Sequence, residues 1–176
     1  MTEIKKVVII GPESTGKSTL TSDLSKAFAE PWVPEYAREY LEKLPREYQY
    51  RDLLQIAKGQ IAGEEEKKKY AQRILFCDTD LQVIKVWSDH KYGKTDPWIL
   101  NQIGIRKYHL YLLTDIDIDW EDDPLREHPD PEMRKYFFDK YHQMMLESKV
   151  PFAIISGPPK ERSETAIKAI NRVISP

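Results

Sequence analysis

The sequence predicts an α/β fold, a parallel sheet with helices on both faces, and three observations predict it. Short apolar, often β-branched runs recur along the chain, separated by stretches whose apolar positions keep helical spacing; strands that alternate with helices throughout build a parallel sheet covered on both sides. The first run leads straight into Gly11-Pro12-Glu13-Ser14-Thr15-Gly16-Lys17-Ser18, which fits G-x-x-x-x-G-K-[ST], and a helical pattern leaves it. Two later runs end in Glu35 and in Asp78, at the edge where open sheets of this class bind ligands.

Each element has its own reason. Val7-Val8-Ile9-Ile10 is unbroken, as a strand buried on both faces should be. From Thr19, the residues Leu20, Leu24, Ala27 and Phe28 share one helical face. Pro31-Trp32-Val33-Pro34 allows a second strand of only two or three residues, because proline cannot donate to a ladder. A helix then runs to about Leu44 and stops at Pro45. Another is expected from Asp52, as its cap, to about Arg73, with Glu64 to Lys69 as a solvated face. Ile74-Leu75-Phe76-Cys77 is the third strand, ending in Asp78-Thr79-Asp80; a helix carrying Leu81, Ile84, Lys85 and Trp87 follows, then a loop over His90 to Pro97. Tyr108 to Thr114 and Val150 to Ile155 are the fourth and fifth strands. Between them lie an acidic, proline-punctuated loop, Asp115 to Pro131, and a helix from Glu132 to about Glu147; the last helix covers about Ser163 to Val173.

At 176 residues the chain is the size of one domain, spanning 1–176. With 27 basic and 29 acidic residues the formal charge is −2, so no global field draws it to nucleic acid or to an anionic membrane. The lone Cys77 sits in an apolar strand, cannot form an internal disulfide and reads as a core residue of a cytoplasmic protein. Met1 to Lys6 lacks the apolar stretch of a signal peptide, and no segment approaches the roughly 20 apolar residues of a membrane span.

The chemistry centres on the phosphate loop. Gly11 and Gly16 let the backbone turn tightly enough for the N–H groups around Glu13, Ser14 and Thr15 to face one anion, and the helix start at Lys17, Ser18 and Thr19 adds partial positive charge. Lys17 is expected to bridge the outer phosphates of a nucleotide and Ser18 to take one position on a magnesium ion. Such a loop serves kinases, GTPases, ATPases and plain nucleotide binders alike. No Asn-Lys-x-Asp guanine reader is present, which weighs against a GTPase. A small-molecule kinase needs a carboxylate at the metal, a base for the acceptor hydroxyl and mobile cations for the transferred phosphoryl group. Asp78 and Glu35 are the carboxylates and divide the first two roles in either order. Arg126, with Arg134, is the cation, carried on a lid over about 115–131. Arg38 lies near the face of Glu35 and reaches the acceptor or a carboxylate. The Asp115-Ile116-Asp117-Ile118-Asp119 stretch imitates a calcium loop, but Trp120 stands where that loop needs glycine. Ser156 to Arg162, after the last strand, is placed for contacts to an adenine ring.

The phosphate loop, Glu35-Tyr36-Ala37-Arg38-Glu39, Asp78-Thr79-Asp80 and Trp120-Glu121-Asp122-Asp123-Pro124-Leu125-Arg126, in this order, resemble the ribosylnicotinamide kinase domain of NadR proteins, in the P-loop nucleoside and nucleotide kinase group. The resemblance spans most of the chain. It implies a P-loop NTPase sheet in the order 2-3-1-4-5, and transfer of phosphate from ATP, with magnesium, to the 5′-hydroxyl of nicotinamide riboside in NAD salvage. It also implies that Glu35, Tyr36, Arg38 and Asp80 hold the acceptor. Where that family places an aromatic residue before the Glu-Tyr pair, this chain has Pro34, leaving Tyr36, Trp32, Trp87 or Trp120 to stack on the ring. Two other readings accompany it: a nucleotide-sensing regulatory protein, and a kinase for another nucleoside or a nucleoside monophosphate.

Overall fold

A computed structural model describes residues 3–174, so Met1 and Thr2 of the amino-terminal stretch lie outside it. Its strands β1 (Lys5–Ile10), β2 (Trp32–Val33), β3 (Ile74–Asp78), β4 (Leu110–Thr114) and β5 (Phe152–Ile155) form one parallel sheet in the order β2-β3-β1-β4-β5. That is the expected order. β1 lies in the middle, with Val7 opposite Phe76 on one side and Leu110 on the other. Its residues Val7 to Ile10 are wholly buried, which is why the run carries no polar side chain.

Among the described residues seven helices accompany the sheet: α1 (Lys17–Phe28), α2 (Tyr36–Lys43), α3 (Tyr50–Lys68), α4 (Leu81–Tyr92), α5 (Pro97–Ile105), α6 (Pro131–Ser148) and α7 (Pro159–Ile174). Side chains alternate across a strand, so β1 feeds two cores. Val7 and Ile9 pack with Leu20 and Leu24 of α1 and with Ala166 and Ile170 of α7. Val8 and Ile10 pack with Val83 and Val86 of α4 and with Phe137, Tyr141 and Met145 of α6. A third cluster joins α2, α3, α4 and α5 through Ala37, Leu53, Ile56, Leu81, Ile84 and Ile99. Among the described residues no helix is long and apolar enough to cross a membrane.

The structure corrects several sequence expectations. The loop expected over His90 to Pro97 is shorter, because α4 continues to Tyr92 and α5 begins at Pro97. Asp96 caps α5 by accepting from the Trp98 N–H at 2.8 Å, so Asp-Pro here is a helix start, proline having no N–H to lose at that position. Asp52 does not cap α3; Gln49 does, and Asp52 returns the bond three residues on by accepting from the Gln49 N–H at 2.7 Å. The same helix ends at Lys68 rather than near Arg73. Helix α1 starts at Lys17 and α7 at Pro159, both earlier than expected. Glu64, expected on a solvated face, is fully buried: it accepts from Lys6 at 3.1 Å, Arg106 at 2.9 Å and Tyr108 at 2.8 Å. Two cations and a hydroxyl make that burial tolerable, and none is a sequence neighbour.

Candidate active site

The phosphate loop leaves β1 and is shaped by its neighbours. Gly11 has φ 151° and runs against β4 so closely that a Cβ would stand 2.8 Å from the Thr114 carbonyl oxygen. Only glycine fits there. The Thr15 hydroxyl donates to the Pro12 carbonyl at 2.7 Å and lies 2.7 Å from the Thr114 hydroxyl. On α7, buried Arg162 donates to the carbonyls of Thr15 at 2.9 Å and Gly157 at 2.8 Å and pairs with Asp117. The loop ends at Gly16, φ 76°, where α1 starts with no side chain bonded to its cap, leaving first-turn N–H groups for an anion. The Lys17 ammonium donates to the Pro12 carbonyl at 2.7 Å. Burial lowers its pKa, and the carboxylates of Glu35, Asp78 and Glu13 oppose that.

Parallel pairing of β3 with β1 sets Asp78 opposite Ile9, beside the loop. The Ser18 hydroxyl donates to Asp78 Oδ2, while Asp78 Oδ1 is buried with no hydrogen-bond partner among the described residues. Burial raises the Asp78 pKa; the Ser18 bond and the Lys17 charge act against that. A hydroxyl and a carboxylate with an unused oxygen fit a hard divalent cation such as magnesium, which takes oxygen ligands and keeps several waters. No group of three or more His, Cys, Asp or Glu residues able to hold a metal occurs among the described residues, so Ser18 and Asp78 would hold it with phosphates and water. Glu35 occupies the turn between β2 and α2. Burial, the largest influence, pushes its pKa up to about 7; Lys17 pulls it down, and the Asp78 charge adds to the rise.

The segment between β4 and α6 lies over the loop. Glu13 accepts from the backbone N–H of Glu127 (3.2 and 3.1 Å) and His128 (3.1 Å). The Ser14 hydroxyl accepts from the Glu121 N–H at 2.8 Å and from Arg126 at 3.3 Å, and Arg134 donates to the Ser14 carbonyl at 3.2 Å. Both guanidiniums face the Trp120 ring, 5.9 Å from its centroid. Arg38 on α2 donates to Asp123 at 2.8 Å, joining the same segment to the opposite wall.

Between these parts is a cleft of about 460 Å³. Of the residues expected from sequence, Gly11, Glu13, Ser14, Thr15, Gly16, Lys17, Ser18, Thr19, Glu35, Arg38 and Arg126 line it, and Asp78 is hydrogen-bonded to Ser18. Tyr36 and Asp80 do not line it. The Tyr36 ring lies flat against α3, where a Cβ on Gly59 would collide with it. Asp80 caps α4, accepting from the Gln82 N–H at 2.9 Å and the Tyr111 hydroxyl at 2.7 Å, and borders a separate cavity of about 280 Å³. Of the ring partners considered, Trp87 alone lines the cleft, with Val83, Leu41, Leu125 and Tyr141 around it. Trp32 packs into the sheet core instead. The sequence gives no signal for Tyr141; Ile118 and Asp119 lie in the segment expected to fold over the nucleotide, and Arg162, which braces the loop, lies in the stretch expected after the last strand.

A phosphate loop at the carboxyl edge of this sheet, with a serine–aspartate pair behind it, defines a nucleotide-binding P-loop protein. The chain belongs to an AAA-domain family, which it matches over residues 6–162. Two trifunctional NAD biosynthesis/regulator proteins NadR, from Salmonella typhimurium and Escherichia coli, are each 29% identical to it over 153 and 155 residues. The match takes in 85% of this chain and 37% of theirs, so the chain spans little more than a third of the length of these relatives. A NadR protein solved in complex with NR is similar at a TM-score of 0.84 and 25% identity, over 97% of this chain and 52% of that one. A deoxyadenosine kinase from M. mycoides shares the fold at a TM-score of 0.66 and 14% identity, over 96% of this chain and 100% of that one.

Proposed function

We propose that this chain is a kinase domain, 1–176 with a lid at about 115–131, that transfers phosphate from ATP to the 5′-hydroxyl of nicotinamide riboside. The products are ADP and nicotinamide mononucleotide, and the process served is NAD salvage in the cytoplasm. One observation carries the acceptor class: beyond Lys17 the cleft offers Glu35 and the Trp87 ring, while Arg126 and Arg162 are bonded at the phosphate loop and Arg38, on α2, is already paired with Asp123. That set suits a flat, cationic, hydroxyl-bearing nucleoside better than a nucleoside monophosphate, which needs a free cation. The complex of a similar NadR protein with NR supports the same choice.

In the proposed reaction the loop N–H groups and Lys17 hold the nucleotide phosphates. Glu35 accepts the proton of the 5′-hydroxyl as its oxygen bonds to the γ-phosphorus and the bond to the ADP oxygen breaks. A pKa near 7 suits that duty. Ser18 and Asp78 would hold magnesium, which would supply charge neutralisation to the nucleotide. Arg126 meets the charge developing on the transferred group, and the lid that carries it excludes water.

ADP release measured with nicotinamide riboside, nicotinamide mononucleotide, thymidine and dTMP tests the reading. Nicotinamide riboside is expected to stimulate release most. A nucleotide-sensing module would bind ATP with no stimulation by any of them, and that result would remove the kinase reading; preference for a pyrimidine or a monophosphate would replace the acceptor.

A further inference from the structure

Arg38 is three residues beyond Glu35, on α2, and lines the cleft. A guanidinium in that position is what a 5′-phosphate on an acceptor would seek, since paired N–H donors match phosphate oxygens. Here it is occupied. Its Nη2 donates to Asp123 Oδ2 at 2.8 Å, and its Nη1 stands 3.8 Å from Glu42. Asp123 is not a casual surface partner: its other oxygen accepts the Leu125 N–H at 2.9 Å, which aims the carboxylate at Arg38. The backbone bond and the Arg38 bond together hold the Asp123 pKa below its usual value.

We propose that Asp123 is a specificity-determining residue, which by occupying Arg38 keeps the acceptor side closed to nucleoside monophosphates. This rests on the kinase reading and deepens it. A phosphate entering beside Arg38 must displace a carboxylate that the chain itself positions, and it meets the negative charge of Asp123, Glu42 and Glu35. A nucleoside with a free 5′-hydroxyl meets no such barrier. The monophosphate made in the reaction then gains no hold from Arg38 and leaves, so one carboxylate both selects the substrate and speeds release of the product.

The test is equilibrium titration of the full chain, loaded with a non-hydrolysable ATP analogue and magnesium, with nicotinamide mononucleotide, dTMP and nicotinamide riboside. Asp123→Asn keeps an oxygen for the Leu125 N–H and removes the charge; Asp123→Ser does the same with a hydroxyl and serves if the first variant melts early. Freed Arg38 is expected to tighten both monophosphates about tenfold while nicotinamide riboside changes less than about twofold. Adding Arg38→Ala should abolish the gain. Unchanged monophosphate affinity in both single variants, or a gain that survives Arg38→Ala, would overturn the proposal. Because monophosphate binding is read without turnover, a wild-type protein that fails to phosphorylate nicotinamide riboside would count against the kinase reading separately.

Discussion

The two halves of the cleft are made of different materials. The phosphate half is largely backbone: a glycine turn pressed on β4, carbonyls held by Thr15 and Arg162, and a helix start with uncapped N–H groups. The half proposed for the acceptor is side chains brought from α2, α4, α6 and the segment between β4 and α6: Arg38, Trp87, Tyr141 and Leu125, beside Glu35 in the turn after β2. Backbone geometry is fixed by a local motif, whereas a wall of side chains depends on how several helices pack. Substitutions in the first half should therefore stop the chemistry for any acceptor, and those in the second should change which acceptor is used.

Lys17→Ala gives the largest expected effect. It removes an ammonium whose charge Glu35, Asp78 and Glu13 all favour and should lower ADP release about a thousandfold or more with every nucleoside tried. If one acceptor retained its turnover, the division into halves would be wrong.

Glu35 joins the halves, and its pH dependence sharpens the comparison. Its carboxylate form is populated above about pH 7, so turnover with nicotinamide riboside should climb between about pH 6 and 8, and Glu35→Gln should be about a hundredfold slower and flat. The linkage has the opposite sign for stability. With a folded-state pKa of about 7 against the ordinary 4.5, the folded free protein keeps a proton that the unfolded chain loses between those values, so stability falls as pH rises through that window. Melting curves of the Gln variant should lack that slope.

The smallest functional effect is expected from Asp80→Asn. Asp80 lies outside the cleft, capping α4 and accepting from Tyr111, so the substitution should cost about 1 kcal/mol in thermal melts and change nicotinamide riboside affinity less than about twofold. A large loss of affinity would move Asp80 into the acceptor half.

Legibility in the sequence follows the same division. The loop, the strand order implied by the family resemblance, and the carboxylates ending β2 and β3 were readable because strand, turn and helix signals are local. Tyr36 and Asp80, expected at the acceptor, lie outside the cleft because the residue next to a site residue often points into a neighbouring element: Tyr36 toward Gly59, Asp80 toward Tyr111. Glu64 differs from its sequence expectation for a related reason, since its partners Lys6, Arg106 and Tyr108 come from distant segments and a run of three glutamates and three lysines hides the one residue that turns inward. Helix α5 is hidden because the polar stretch His90 to Pro97 reads as loop, whereas Asp96 is a cap followed by a permissive first position.

The contact of Glu13 with the lid runs to the backbone N–H groups of Glu127 and His128, not to their side chains. A tie of that kind is blind to residue identity. That tie itself survives any side chain but proline, which lacks the N–H, while the side chains add separate contacts, Glu127 accepting from the Tyr48 hydroxyl at 3.2 Å and His128 packing on His90 and Phe137. Insertions or deletions between Arg126 and Pro131 would shift the donors away from Glu13. In related chains, length between Arg126 and Pro131 should therefore be strict, and a library randomised at 127 and 128 should lose most to proline and less to residues that only give up the side-chain contacts with Tyr48, His90 and Phe137.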